Sequence, residues 1–415
     1  MTSLRAPLGT RARAAAHLLG LARVAGVGTT RRAVARWGAA APVLLAARSH
    51  PDAVALEREG EVITAARLAE RVARRAATLA ETHPPGTRLG VDVDGSIAGL
   101  VEAFAAVAAG LDVVPLGPRL APIEADAFRE AVAPARPRVG PGRLLPLTTG
   151  ATGAPHPAGG SLRFGTVLQL AELDRRIALP PGPVLVLAPP DHGHGLSMVL
   201  ASLVHARTVI LGANLPPDTR SGLYLRRPAT VTGVPAQLAR IGADELTGVE
   251  LVVSGSSPLA PGVVARLAAS GARVLDCYGT SETGTVAVDG VPVAGCRIRI
   301  AADGTLTLDS PARRGFAPGD RGTVIGGRLA AVGRADGRAD SGGETVDPAR
   351  TETALRAIPG IRDVSVVVEP HELLGAVLVA EVLLAPTSGL EIDEIRARLA
   401  DELDVAHRPR RLTVR

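Results

Sequence analysis

The chain has 415 residues, 46% of them hydrophobic, 21% charged and 2% aromatic, which is enough for two or three domains with aliphatic cores. All 46 basic residues are arginines, and 41 acidic residues reduce the net charge to +5. Because aromatic side chains are scarce and the body of the chain has no basic run, the composition argues against nucleic-acid binding.

The first 51 residues contain eight arginines and no acidic residue, spaced between apolar blocks such as AAAHLLGLARVAGV. Arginines interrupt every apolar run before Val43, so we expect neither a signal peptide nor a membrane-spanning helix. We interpret residues 1–51 as a basic N-terminal extension. It is either a helical segment packed on the next domain or a basic segment in peripheral contact with an anionic membrane. Two cysteines, Cys277 and Cys296, are too few for a disulfide framework and indicate a reducing cytoplasm.

From about Val54, strand and helix patterns alternate, which predicts a mostly parallel sheet with helices on its faces. VALEREGEVITAARL predicts a hairpin with Gly60 at its turn, and the helix LAERVARRAATLAETH follows. Residues 249–279 repeat strand, turn, helix and strand. After Gly290 the chain is rich in strand patterns, and Asp303-Gly304 predicts a hairpin turn.

A polar segment, VGRADGRADSGGE, interrupts these patterns at residues 332–344. Beyond it, helix, strand, strand and helix patterns predict a small α+β unit on a hinge. We therefore predict an α/β protein with two domains after the extension. A large domain of mostly parallel sheets with a β-rich part would span residues 52–334, and a small C-terminal α+β domain would span residues 335–415.

The loop TTGATG, from Thr148 to Gly153, has the composition of a phosphate-binding loop. Glycines let backbone N–H groups approach phosphate oxygens, and threonine hydroxyls add donors. The loop is not a Walker loop, because that motif requires a lysine. An ordinary threonine- and glycine-rich turn is the alternative interpretation.

The segment DCYGTSETGTV, residues 276–286, directly follows a predicted strand. Ligands of open α/β sheets bind beyond the carboxyl ends of the strands. There Tyr278 can stack on a base, Ser281 can bond a phosphate oxygen, and Glu282 can hold Mg²⁺. A surface loop without a ligand is the alternative.

Five motifs in this order resemble those of the AMP-forming adenylate synthetases, the superfamily of acyl-CoA synthetases, luciferases and peptide-synthetase adenylation domains. Within it the chain looks most like bacterial fatty-acid-type acyl-CoA ligases, over roughly residues 50–412. The similar segments are TTGATGAPHP at 148–157, GSSPL at 255–259, YGTSE at 278–282, PGD at 318–320 and the hinge GRAD at 333–336. The run SGGE at 341–344 also resembles the loop that follows the hinge in CoA ligases.

The resemblance implies that ATP and an apolar carboxylic acid form an acyl-adenylate, from which CoA displaces AMP. It implies that Glu282 binds Mg²⁺, that Ser281 takes part in catalysis, and that Asp336 is the pivot of the small domain. For His192, which would lie beside the acyl pocket, a gating role, a structural role and a metal pair with His194 remain open. The nucleotide-binding residues implied are Thr148, Thr149, Gly150, Thr152, Gly153, Gly255, Ser256, Ser257, Tyr278, Gly279, Asp320, Arg334, Asp336 and Gly343.

Two lysines of the family have no counterpart here. His156, an imidazole that is mostly uncharged near neutral pH, stands at the lysine position of the phosphate loop. The family's late catalytic lysine follows a Pro-Arg strand segment, but here HRPRRLTVR, residues 407–415, ends the chain. We therefore expect a truncated small domain and slow adenylation, because losing one such donor costs on the order of 10²–10³ in rate. The alternative is a non-catalytic protein that binds a nucleotide or acyl ligand on the same fold.

Overall fold

The computed structural model describes residues 2–130, 140–148, 156–158 and 164–414. The helices in these ranges are α1 (Thr10–Ala25), α2 (Val27–Trp37), α3 (Ala41–Ser49), α4 (Ala65–Thr82), α5 (Ile97–Ala108), α6 (Pro122–Glu130), α7 (Phe164–Ile177), α8 (Gly193–Val204), α9 (Pro217–Leu223), α10 (Pro235–Leu238), α11 (Pro261–Ala268), α12 (Pro348–Arg356) and α13 (Ile392–Glu402).

The strands in the same ranges are β1 (Thr2–Arg5), β2 (Val54–Arg58), β3 (Glu61–Thr64), β4 (Arg88–Asp92), β5 (Asp112–Leu116), β6 (Leu147–Thr148), β7 (His156–Pro157), β8 (Val184–Val186), β9 (Val209–Leu211), β10 (Thr230–Gly233), β11 (Leu251–Gly255), β12 (Arg273–Thr280), β13 (Gly284–Val288), β14 (Val291–Pro292), β15 (Arg297–Ile300), β16 (Leu306–Asp309), β17 (Asp320–Ile325), β18 (Arg328–Arg334), β19 (Ala339–Ser341), β20 (Glu344–Val346), β21 (Ile361–His371), β22 (Gly375–Leu384) and β23 (Arg411–Val414).

A nine-stranded sheet forms the centre of the described large domain, in the order β14-β13-β12-β11-β10-β8-β9-β2-β3. The strands from β12 to β2 run parallel, and β3, β13 and β14 add antiparallel edges. Successive side chains of β8 enter two different cores, since Val184 and Val186 pack on one face of the sheet and Leu185 on the other. The predicted α/β fold with a mostly parallel sheet is confirmed.

The two predicted hairpin turns are also present. Gly60 connects β2 and β3 with a φ of +88°, and Gly304 connects β15 and β16 with a φ of +87°. A positive φ costs glycine little, which explains its place at both turns. At the second turn Oδ1 of Asp303 accepts the amide of Thr305 at 3.0 Å, the local bond that favours aspartate there.

The N-terminal segment packs on the large domain. Strand β1 pairs with β15, and helix α1 lies against α7. Trp37 and Val43 are buried in the main core, and Nε2 of His17 lies 2.8 Å from a carboxylate oxygen of Asp174 on α7. Among the described residues, no helix is long and apolar enough to cross a membrane.

The C-terminal segment has its own core beneath a five-stranded sheet. The sheet has the order β20-β19-β22-β21, and β23 pairs in parallel with β22. Helices α12 and α13 cover one face through Leu355, Ile395 and Leu399, which are fully buried or nearly so. The strand β18 ends at Arg334, so the predicted hinge Gly333–Asp336 lies between the two cores.

Ion pairs join the C-terminal segment to the large domain. Arg350 of α12 binds Glu124 of α6 and also lies 2.8 Å from Asp404. Glu344 accepts from Nη1 of Arg119 at 2.9 Å, and the backbone carbonyl of Arg119 accepts the amide of Val405 at 3.0 Å. Charged contacts of this kind, rather than a shared apolar core, dock the two units.

Candidate functional site

A cleft of about 1460 Å³ lies where β11 and β12 end, between the large domain and the C-terminal segment. The location is the one expected for a ligand site in an open α/β sheet. The predicted site residues that the structure describes all line it: Thr148, His192, Gly255, Ser256, Ser257, Tyr278, Gly279, Ser281, Glu282, Asp320, Arg334, Asp336 and Gly343. Predicted residues Thr149, Gly150, Thr152 and Gly153 lie outside the described residues.

The end of β12 bends because of a bulge between Tyr278 and Gly279. A Cβ atom at Gly279 would lie 2.2 Å from the carbonyl oxygen of Gly284, so only glycine fits beside the returning strand. Bulges next to functional sites redirect the side chains that follow. Here the bulge leads directly into the turn that carries Ser281 and Glu282.

Two residues that the sequence reasoning missed hold the turn of Glu282 in place. Thr283 is fully buried, and its amide and hydroxyl exchange hydrogen bonds with Thr280 at 3.2 and 3.3 Å. From α7, the buried amide group of Gln169 donates to the carbonyls of Thr283 and Thr285 at 3.1 and 2.8 Å. Gln169 has no local sequence signal because it lies over a hundred positions from the turn.

Tyr278, Asp320 and Arg334 form one hydrogen-bonded group in the cleft. The Tyr278 hydroxyl donates to Oδ2 of Asp320 at 2.8 Å, and Nη1 of Arg334 donates to Oδ1 of Asp320 at 3.2 Å. Arg334 also makes two bonds to the Asp336 carboxylate, at 3.0 and 2.6 Å. Gly319 permits this approach, because a Cβ atom there would lie 2.2 Å from Oδ2 of Asp336.

Burial and the Arg334 charge act in opposite directions on the pKa values of the two carboxyl groups in this cluster. Burial raises the pKa of Asp320 despite the Tyr278 hydrogen bond and the Arg334 charge. Burial, followed by the Asp320 charge, raises the pKa of the Tyr278 hydroxyl well above its usual range. For Asp336, burial acts to raise the pKa, but the hydrogen bonds and charge of Arg334 outweigh it and lower the pKa. Arg334 therefore favours the ionised form of the Asp336 carboxylate.

Asp276 is a further carboxyl of the cleft that the motif comparison missed. It lies two positions before Tyr278 on β12, so both side chains point to the same face of the sheet. Burial raises the pKa of Asp276 to about 6; the Leu259 amide lowers it and the Asp289 charge raises it further. Nearby in the same wall, Oγ of Ser257 is buried and has no hydrogen-bond partner among the described residues. Both groups can bind a polar ligand.

The pKa values of the two histidines of DHGHG shift in opposite directions. Nδ1 of His192 lies 2.8 Å from Oδ2 of Asp191; burial acts to lower the His192 pKa, but the charge and hydrogen bond of Asp191 prevail and raise it to about 9. Burial lowers the pKa of His194 to about 4, and its Nε2 lies 2.9 Å from Oγ1 of Thr232. The described residues contain no group of three or more histidine, cysteine or acidic side chains able to hold a metal ion.

Gly117 makes room for the Asp191 carboxylate. A Cβ atom at Gly117 would lie 1.9 Å from Oδ2 of Asp191, so no larger residue fits without displacing that side chain. Oδ1 of Asp191 is buried and has no partner among the described residues. The cleft therefore contains a His192 ring oriented by Asp191, whose carboxylate still has one oxygen available for a hydrogen bond.

The remaining walls come from the two ends of the predicted phosphate loop and from the segment after the predicted hinge. Thr148 and His156 are opposite each other in the β6–β7 pair, which brings the two ends of the loop together. Gly343, with a φ of +94°, lies against Val234, whose Cγ1 would be 2.8 Å from an added Cβ. A backbone segment of the C-terminal domain thus closes the cleft next to the large domain.

Comparison with known proteins identifies the family of the chain. The family model described as AMP-binding enzyme matches residues 143–311. A probable 2-succinylbenzoate–CoA ligase of Mycobacterium tuberculosis is 32% identical over 307 residues, which cover 65% of this chain and 79% of that relative. A feruloyl-CoA synthase of an Amycolatopsis species is 28% identical over an aligned length of 448 residues, covering 86% of this chain and 91% of the relative.

A solved structure supports the fold. The o-succinylbenzoate CoA synthetase of Bacillus subtilis superposes with a TM-score of 0.74 at 18% identity, covering 90% of this chain and 94% of that one. The family matches and this fold confirm the resemblance inferred from the motifs. The chain belongs to the AMP-binding enzyme family, within the AMP-forming adenylate synthetases, and is grouped with their CoA ligases.

Proposed function

We propose that the chain is an AMP-forming acyl-CoA synthetase. ATP and a carboxylic acid would form an acyl-adenylate and release pyrophosphate, and the thiol of CoA would then displace AMP to give a thioester. The observation that carries this proposal is the common cleft in which Tyr278, Glu282, Asp320 and Arg334 meet beside the C-terminal segment. Activation is needed because a carboxylate is a poor electrophile, whereas an adenylate provides a good leaving group.

The residues of the cleft suit an adenine nucleotide. The ring of Tyr278 would stack on the base, with Gly255, Ser256 and Ser257 on the opposite side, and Asp276 would accept from an exocyclic amine. Each Asp320 oxygen already accepts one protein hydrogen bond, yet each has a second lone pair for a ribose hydroxyl. The buried, unpartnered Oγ of Ser257 supports a polar ligand at this place.

Glu282 would hold Mg²⁺ together with phosphate oxygens of ATP. Magnesium commonly binds proteins through one or two carboxylates plus substrate phosphates. When bound, the ion would neutralise charge that develops on the phosphates. The contribution of this chain is the position of the Glu282 carboxylate, which Thr283 and Gln169 fix through the turn.

The carboxylic acid would have an apolar body, and aromatic acids are the first candidates. Leu170 and Leu173 supply apolar surface to the cleft wall, and the relatives are named for 2-succinylbenzoate and ferulic acid. The imidazolium of His192 would lie beside the reacting carboxylate and contribute a positive charge there. Fatty acids remain the second group to test.

The replacement of the loop lysine by His156 supports a second candidate function. An imidazole supplies less positive charge to the phosphates than an ammonium group, so adenylation would be slow. In the extreme case the chain would bind a nucleotide or acyl ligand without turning it over. The position of His156 at the cleft wall, paired with Thr148, is the observation that favours this alternative.

ATP–pyrophosphate exchange over a panel of aromatic and fatty acids distinguishes the two candidates. Exchange above background, followed by thioester formation when CoA is added to a preformed acyl-adenylate, supports the synthetase. Tight nucleotide binding without either half-reaction supports the binding protein. Absence of both binding and exchange for the whole panel would contradict both proposals.

A further inference from the structure

The outward surface of α1 and α2 carries an unusual charge. All eight arginines of residues 1–51 are exposed, and no acidic residue occurs in this segment. The rest of the chain, by contrast, contains more acidic than basic residues. The positive net charge of the protein therefore comes from its N-terminal segment.

Helix α1 has one face on the protein and the opposite face in solvent. Ala14 and Leu18 pack against α7, where His17 also contacts Asp174. The opposite side exposes Leu19 and Arg23, with 53% of Leu19 accessible. Positions 12, 16 and 20 on this side hold only alanine or glycine, so the arginine and leucine side chains project beyond the helix surface.

Helix α2 repeats the arrangement next to α1. Its inner side buries Ala33 and Trp37. Its outer side exposes Arg31 and Arg32 together with Val27, of which 57% is accessible. Val34, at 41% accessible, lies beside them. Arginines, small residues and isolated aliphatic side chains thus alternate on both outward faces.

The arginines of this segment have no acidic partners among the described residues. Within the described part of the chain, none of the eight forms an ion pair, whereas exposed arginines elsewhere include paired ones, such as Arg67 and Arg75, and unpaired ones, such as Arg240. What distinguishes the segment is that its eight exposed positive charges have no acidic residue between them, so its surface is complementary to an anionic partner.

We propose that the outward face of α1 and α2 docks on the headgroup region of an anionic phospholipid bilayer. Arginines attract acidic headgroups, and their aliphatic stems, with Leu19 and Val27, can enter the interface while the guanidinium groups stay hydrated. A nucleic acid would satisfy the charge but would leave the aliphatic side chains in water, so a lipid surface fits better. This inference does not depend on the proposed catalytic function.

The test is sedimentation with vesicles of phosphatidylcholine, with or without phosphatidylglycerol. The variant replaces Arg11, Arg23, Arg31 and Arg32 by glutamine. The matched control removes the same charge from four other exposed arginines, namely Arg240, Arg314, Arg362 and Arg410. At low salt we expect the native chain and the control to bind only the anionic vesicles, and the variant to bind at least about tenfold more weakly. Added salt should release the native chain.

A second variant, Leu19→Ser with Val27→Ser, keeps the charge and removes apolar area. We expect it to bind anionic vesicles several-fold more weakly, which a purely electrostatic contact would not produce. Circular dichroism and thermal unfolding verify that each variant is folded. Equal binding by the native chain and the arginine variant would overturn the proposal, as would no binding to anionic vesicles. Stronger binding to duplex DNA than to anionic vesicles at equal phosphate concentration would assign the surface to nucleic acid instead.

Discussion

Asp320 and Arg334 lie directly opposite each other at the paired ends of β17 and β18, with 3.2 Å between Oδ1 and Nη1. The same guanidinium binds the carboxylate of Asp336 and the carbonyl oxygen of Pro318. One side chain therefore connects the carboxylate proposed for the ribose to the residue proposed as the pivot. If both proposals hold, nucleotide binding and the position of the pivot depend on this one contact.

Arg334→Gln should reduce both stability and nucleotide affinity. Removing the guanidinium leaves two partly buried carboxylates without their counter-charge, which costs about 3 kcal/mol. Arg321→Gln is a suitable control, because Arg321 is an exposed neighbour of Asp320 on β17. Thermal unfolding and calorimetric titration with AMP measure the two effects. Unchanged values for Arg334→Gln would show that the pair has no role in either.

Glu282→Gln should reduce ATP–pyrophosphate exchange by on the order of 10²–10³, because one preorganised charge at the phosphates is lost. AMP binding should change little, since AMP lacks the phosphates at which the proposed Mg²⁺ would lie. Glu372→Gln, at an exposed position away from the cleft, serves as the control. Full exchange activity in Glu282→Gln would remove this residue from the proposed site.

Gln169→Ala should loosen the turn that carries Glu282. The carbonyls of Thr283 and Thr285 would lose their donor, at a cost of about 1–3 kcal/mol. Gln237→Ala is a matched control, because this amide donates to the carbonyl of Leu187 and caps α10 without touching the turn. We expect similar losses in thermal stability, but a fall in the exchange rate constant for Gln169→Ala alone. Equal effects on exchange would mean that Gln169 acts only on folding.

Asp276→Asn should stabilise the protein above pH 6 and not below pH 4. The pKa of Asp276 is raised from 3.8 to about 6 in the folded state, so the folded chain holds a proton that the unfolded chain releases between these values. Stability therefore falls as pH rises through this window, and asparagine avoids the loss. We expect a gain of about 1–3 kcal/mol near pH 8 by denaturant unfolding. A gain independent of pH would contradict the raised pKa.

Asp191→Asn should lower the titration midpoint of His192. Asp191 is the group that holds the His192 pKa near 9 against the effect of burial, so its neutral isostere should bring the midpoint to the usual value or below. The pair stabilises the fold below about pH 6.5, and this contribution is lost as pH rises through about 9. The His192 ring is 38% exposed, so water screens the pair and the stability effect is small. NMR of the imidazole signals, assigned with His192→Asn, measures the midpoint.

The architecture could be predicted from the sequence because the patterns that indicate helices, strands and turns involve residues close together in the chain. The alternation of strand and helix, Gly60 at a turn and the motif around Tyr278 each depend on neighbours in the chain. The motif also located the cleft, since strands that run parallel end at the same edge. Asp276 was within reach of the same reasoning, because side chains two positions apart on a strand share a face.

Contacts between segments that are distant in the chain could not be predicted from the sequence. Gln169 is joined to its turn only by tertiary packing, and Gly117 matters only because Asp191 fills the space where a side chain would be. The pKa of His192 depends on whether burial or the Asp191 charge has the larger effect. That balance can be judged only from the three-dimensional structure. The residues from Thr149 to Gly153 lie outside the described ranges, so their role as a phosphate cradle stays a prediction.

Arg350, whose side chain is 13% exposed, is held between carboxylates of both structural units, Glu124 on one side and Asp404 on the other. If the small unit swings as proposed, the motion must break the bond between Arg350 and Glu124 and hydrate the separated charges. Ions in solution ease that separation, so the swing should quicken with ionic strength, whereas attraction of an anionic nucleotide should weaken. The rate of the proposed synthetase reaction would then be highest at intermediate ionic strength. Below this optimum, release of the small unit would limit the rate. Above it, binding of the anionic nucleotide would limit the rate.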